Sequence, residues 1–254
     1  MVAPLVIVAG FLLGLAVTLL GGGGGVFYLA VLLVVVELPY AVAVPTSLAT
    51  VIATTAFGSL GHARRGNVAA DYGLAVVAGA VGGAYLGARV VGAVSEGLLT
   101  RMFGGFLVVV AALLYLLDRR PDAVGAPPPL TPLRAVFAVG LGAATGLLSA
   151  TFGISGTPAL LPGLYALGLP AAAVVGTSVF CILGVSMAGV AWYATLLGVR
   201  WDIVVPFGAS AAVGALVAPR ILDAIPEARL EAGYGPVLVG VTALTGIGFL
   251  LGIV

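Results

Sequence analysis

The sequence predicts an all-α integral membrane protein, polytopic, built from two internal repeats that each contain a glycine-broken half-helix. Three observations carry this prediction. Hydrophobic residues make up 62% of the 254 and charged residues only 7%, with a mean hydropathy of +1.28. No soluble domain of this length covers so much apolar side chain with so few charges, and the solvent that suits it is a bilayer. The chain also repeats itself at a shift of 131 residues, without gaps: Pro39 falls on Pro170, Thr46-Ser47 on Thr177-Ser178, Asp71 on Asp202, Arg89 on Arg220 and Glu96 on Glu227. In the same register Gly22 falls on Gly153, Gly25 on Gly156 and Gly83 on Gly214, so both copies are interrupted by glycine at the same place. Duplicated apolar units with matching breaks are the pattern of transporters whose site lies between the repeats.

Apolar stretches run over 4–20, 26–36, 40–60, 69–94 and 102–117 in the first copy, and over 133–152, 157–168, 171–197, 203–222 and 233–254 in the second. A helix crosses the hydrocarbon in about 20 residues, so most of these stretches can span. The first reads as a retained span, because it has neither a positively charged start nor a small-residue cleavage pattern. Segments 26–36 and 157–168 are too short to cross alone. They read as half-helices entered through Gly21–Gly25 and through Phe152-Gly153-Ile154-Ser155-Gly156. Residues 1–117 and 133–254 are thus two transmembrane repeats, joined by a linker over 118–132 that carries Arg119, Arg120 and Pro127-Pro128-Pro129.

If the short segments merely dip and return, the repeats are parallel and the arginines divide six against four. If each counts as a crossing, the repeats are inverted. Arg64, Arg65, Arg119, Arg120, Arg134, Arg220 and Arg229 then face three others across the membrane. The positive-inside rule favours this more lopsided division.

The candidate site residues lie at and after the breaks. Glycines are poor helix formers, by about 1 kcal/mol each, so no helix passes through Gly21, Gly22, Gly23, Gly24 and Gly25 by preference. A half-helix starting there would point unpaired N–H groups and a partial positive charge into the membrane interior, where they bind anions. The competing explanation is a flexible surface turn, against which stands the recurrence of Gly153 and Gly156 in register. Thr46, Ser47, Thr177 and Ser178 each follow a Leu-Pro by about two helical turns and so lie well inside a span. Buried hydroxyls there must bond a carbonyl four residues back, a freed group at a glycine break, or a substrate oxygen. With Ser155 and Thr157 they complete the expected lining of a mid-membrane anion site. Thr50, Thr54, Thr55 and Ser59 extend a polar stripe in the first copy, which the second, with Cys181 at the place of Thr50, does not repeat.

Other residues read as structural. Gly79, Gly83 and Gly87, with mates Ser210, Gly214 and Ala218, allow close helix packing, within the chain or at a homodimer seam. Arg89 and Arg220 lie near span ends and can snorkel, and Asp71 and Asp202 suit helix starts. Glu37, whose mate is Gly168, fits an interface position better than proton coupling. A lone Cys181 excludes an internal disulfide, and a net charge of +1 from scattered arginines implies no nucleic-acid partner. Gly153-Ile154-Ser155-Gly156 matches an intramembrane serine-protease pattern, but His62, the one histidine, lies in a basic loop upstream. No metal-binding or phosphate-loop motif occurs, so neither an enzyme nor a cofactor is expected.

The order of glycine break, short apolar segment, Leu-Pro and Thr-Ser, from Gly22 to Ser47 and again from Gly153 to Ser178, resembles the sulfite exporter TauE/SafE family of membrane permeases. The basic loop ending Gly66-Asn67-Val68 fits as well, and the likeness covers nearly the whole chain. The copies differ: Val44-Pro45 precedes Thr46 where Val175-Gly176 precedes Thr177, and Val26-Phe27 stands for Thr157-Pro158. The resemblance implies a multi-pass permease of the cell membrane that moves a small sulfur-containing or organic anion such as sulfite, sulfoacetate or another sulfonate. The residues themselves point to an anion, through converging helix N-termini, and leave open a secondary transporter or an anion channel through the same seam.

Overall fold

The structure, a computed structural model, describes residues 2–19, 25–116, 126–154, 156–222, 239–240 and 242–252. Its helices are α1 (Val2–Leu19), α2 (Gly25–Val34), α3 (Tyr40–Arg64), α4 (Ala70–Ala93), α5 (Glu96–Leu116), α6 (Pro132–Phe152), α7 (Thr157–Ala166), α8 (Ala171–Leu196), α9 (Trp201–Leu222) and α10 (Thr242–Leu251). No strand occurs among the described residues. Among the described residues four helices, α3, α4, α6 and α8, are long and apolar enough to cross a membrane. Leu74, Leu86, Val109, Val136, Val205 and Leu216 point outward, an apolar exterior suited to lipid.

The starts of α3 and α8, and of α4 and α9, are each 131 residues apart. The two most extensive packings are α4 on α6 and α1 on α9, which exchange when each helix is replaced by its register mate. Both rest on glycines. A methyl group at Gly79, Gly83 or Gly142 would overlap the carbonyl oxygen of Val139, Ala143 or Val76 respectively, and one at Gly14 would overlap that of Ala211. With no hydrophobic drive between helices in lipid, such close backbone approach is what holds them together. The glycine stripe of α4 is therefore occupied by α6 of the same chain.

Contacts also give the directions. Val76 and Ala80 of α4 meet Gly142 and Gly146 of α6, so these helices run parallel. Gly73 and Val77 of α4 meet Phe180 and Gly184 of α8, again parallel. Gly58 meets Val179 whereas Leu48 meets Gly189, so α3 and α8 run antiparallel. In consequence Arg64, Arg65 and Arg134 lie at one end of the bundle with the start of α8, while Arg89, Arg101 and Arg200 lie at the other.

Pro39 and Pro170 are the N-caps of α3 and α8. Pro39 offers no side-chain cap, and Glu96 at the start of α5 supplies one, accepting the Tyr40 N–H at 2.6 Å. Asp71 accepts the N–H of Tyr72, and Asp202 holds Arg200 in a solvent-exposed bidentate pair at 2.7–2.9 Å. Glu37 ends the α2 turn with φ 56°, and its mate Gly168 ends the α7 turn with φ 86°. A left-handed backbone costs a residue with a side chain about 1 kcal/mol, which Gly168 avoids and Glu37 does not. Glu37→Gly should raise the unfolding temperature in detergent, by the equivalent of about 0.5–1 kcal/mol after the added chain entropy is subtracted. An unchanged or lower melting temperature would count against strain at this turn.

Candidate functional site: a helix break at mid-membrane

α6 ends inside the protein, with Gly153 as a left-handed C-cap at φ 58°. Its last carbonyls need donors, because no water reaches them in hydrocarbon. Tyr40 of α3 donates to Thr151 O at 3.0 Å and Tyr193 of α8 to Ala150 O at 2.6 Å. Ser47 of α3 donates to Gly153 O at 2.5 Å, and Ser149 donates to Ile154 O. Hydroxyls from three helices thus fix the break in place. Gly153 itself is wedged against Val44 and Ser47 of α3 and Leu29 of α2.

α7 then starts at Gly156, left-handed at φ 69° and with no side-chain cap. Its ten residues span about 15 Å, half the hydrocarbon thickness. The side chain of Thr145, in the middle of α6, fills the space a Cβ on Gly156 would take. Thr145 is level with the Ala80–Gly83 stretch of α4, at mid-span, so α7 begins halfway through the bundle. α2 is also ten residues long. Tyr28, near its start, meets Phe207, whose neighbour Gly208 lies against Thr50 in the middle of α3. Both half-helices therefore open at mid-depth.

The candidate residues fall into separate groups. Ser47 meets the second break directly. Thr46, at 2.7 Å, and Thr50, at 2.8 Å, bond carbonyls four residues back, and Thr54 and Thr55 also bond within α3. Thr177 accepts the Ala69 N–H at 2.9 Å and pins the start of α4, while Ser178 bonds Val175 O at 2.8 Å within its own helix. Because α3 and α8 are antiparallel, Ser178 is level with Gly58, eleven residues or roughly 16 Å along α3 from Ser47. The two Thr-Ser pairs flank the middle from opposite sides. Gly25 starts α2 and Thr157 starts α7; Gly22, Gly23, Gly24 and Ser155 lie outside the described residues.

Sequence reasoning passed over Tyr40, Tyr193, Ser149, Thr145 and Ser186. Ser149 falls in register on Thr18, and Ser186 on Thr55, so hydroxyl recurrence could have drawn attention to both. Tyr193 falls on His62 and Thr145 on Gly14, which leaves no such signal. The histidine is far from the break: His62 lies fifteen residues beyond Ser47 on α3, roughly 22 Å along the helix. Among the described residues, no cluster of His, Cys, Asp or Glu could hold a metal ion.

A helical bundle with an apolar exterior and four helices of membrane-crossing length among its described residues is that of a multi-pass membrane protein. Residues 6–247 match the sulfite exporter TauE/SafE family, and the chain belongs to it. The chain is also 31% identical over 232 residues to the probable membrane transporter protein YdhB of Bacillus subtilis (strain 168), an alignment that covers 89% of this chain and 93% of that protein. No solved structure matches. Members of this family are transporters, and the chain is a membrane transporter rather than an enzyme.

Proposed function

We propose that the chain is a secondary transporter of a small oxyanion, sulfur-containing in the manner of sulfite or a sulfonate, working by alternating access between two inverted repeats in the plasma membrane. The observation that carries this reading is the pair of ten-residue half-helices that begin at glycine at mid-depth. Their N-termini put partial positive charge where hydrocarbon surrounds the path, which favours an anion without a buried cation. Antiparallel α3 and α8, together with the exchange of helix pairings between the halves, support inverted repeats. The end of the bundle that carries Arg64, Arg65 and Arg134 is then cytoplasmic.

The anion sits between the break at Gly21–Gly25 and the break at Gly153–Gly156, with Ser155 and Thr157 beside it. Thr46, Ser47, Thr177 and Ser178 flank it, and Ser47 acts by holding the Gly153 carbonyl. Ser47→Ala/Ser178→Ala should weaken substrate binding by about 1–3 kcal/mol. Counterflow in proteoliposomes loaded with sulfite or a sulfonate tests the class: a carrier exchanges and saturates, whereas a channel passes ions without counterflow. Full transport in the double variant, with loss on Arg89→Gln instead, would move the site away from the breaks.

A further inference from the structure

Three buried hydroxyls have no hydrogen bond: that of Tyr28 in α2 and, in the layer where α7 begins, two aliphatic ones. Thr145 of α6 and Ser186 of α8 are both fully buried, at 0% exposure, and neither oxygen makes a hydrogen bond. Ser and Thr in membrane helices ordinarily bond the carbonyl one turn back, as Thr46, Thr50 and Thr55 do here. Thr55 is the register mate of Ser186, so the same position is satisfied in one half and open in the other. A buried hydroxyl without a partner costs about 1–3 kcal/mol, and two at one level need a reason.

Both belong to the same layer. Gly184 meets Val77 of α4, which sets Ser186 near Gly79, and Gly146 and Ala143 meet Ala80 and Gly83, which sets Thr145 within about a helical turn of it. α6 and α8 also pack on each other. Thr145 presses on Gly156, the uncapped start of α7. A helix N-terminus and two unpaired donors thus share one stratum of the membrane.

We propose that Thr145 and Ser186 are substrate-contacting residues, and that with the start of α7 they form a site for a singly charged oxyanion. The assignment rests on the transporter reading above and narrows it. Among the described residues Arg64, Arg65, Arg89, Arg101, Arg134, Arg200 and Arg220 all lie at or near helix ends, so the donors in this layer are neutral. The cost of bringing an ion out of water rises with the square of its charge, and neutral donors that can carry one charge cannot offset the fourfold cost of two. The substrate accordingly enters as hydrogensulfite or a monoanionic sulfonate, and a dianion such as sulfate is rejected.

The test uses the full chain in proteoliposomes, with methanesulfonate, hydrogensulfite and sulfate as probes, and thermal unfolding of the empty protein in detergent. Thr145→Val keeps the methyl group against Gly156 and removes only the hydroxyl; Ser186→Ala does the same on α8. Each should lower the apparent affinity for the monoanions about ten- to hundredfold. Each should also leave the empty protein as stable or more so, since an unpaired hydroxyl is gone. Thr145→Ser should retain transport. A purely structural role predicts the reverse: lower stability with affinity unchanged. Wild-type affinity in both variants, or sulfate carried as well as the monoanions, overturns this assignment and leaves the transporter reading intact. No flux of any of the three probes in the wild type overturns the anion reading and this assignment with it.

Discussion

Gly83→Val should prevent the bundle from assembling. Gly83 faces Ala143 on the parallel helix α6, and even a Cβ there would overlap the Ala143 carbonyl oxygen. The contact is reciprocal, with Gly142 against the Val76 carbonyl and Gly79 against that of Val139, so the helices interlock backbone to backbone. No flexible side chain can swing aside, and a shift of α6 would pull its end away from the hydroxyls of Tyr40, Tyr193 and Ser47. Overpacking a close interface typically costs 1–3 kcal/mol, and a valine against rigid backbone should cost about 3 kcal/mol or more. Gly82, one residue away, has open space where a side chain would go, and Gly82→Val is the matched control with the same propensity change. Size-exclusion profiles and melting temperatures in detergent read the difference. If both variants elute and melt together, the α4–α6 interlock does not hold the fold.

What the sequence made legible was whatever polarity and repetition encode. Spans and the break at Gly153–Gly156 could be read because glycine and proline interrupt an otherwise apolar chain. Arginine placement favours inverted repeats, and the contacts of α3 with α8 show that these two helices run antiparallel. The site was legible in outline only. Threonine and serine in a span announce that a hydroxyl must be satisfied, but not by what. Ser47 reaches across to Gly153, while Thr46, two helical turns into the same span, bonds its own helix. Nothing in spacing separates those outcomes, because they depend on which helix packs beside each residue. The tyrosines that hold the α6 carbonyls were invisible for the same reason, as each comes from a different helix and has no hydroxyl-bearing register mate.

Gly156→Ala should abolish transport while leaving the protein in the membrane. Two separate demands fall on this residue. Its φ of 69° lies in the left-handed region, which costs an alanine about 1–2 kcal/mol. The side chain of Thr145 already fills the place of the new methyl group. Both are local to the start of α7, and the α6 carbonyls stay bonded to Tyr40, Tyr193 and Ser47, so the bundle should assemble. What changes is the direction in which the first turn of α7 points its N–H groups, and an anion without a cation depends on that direction. The two demands can be separated. Gly156→Asn tolerates the backbone but not the space, and Gly156→Ala/Thr145→Ser removes the overlapping methyl group and keeps the hydroxyl, so it supplies the space but not the backbone. The double variant should therefore regain melting temperature relative to Gly156→Ala, by the equivalent of about 1–2 kcal/mol of relieved overlap, without regaining flux. Folded, membrane-inserted Gly156→Ala protein that transports sulfite at the wild-type rate would mean that the start of α7 does not contact the substrate.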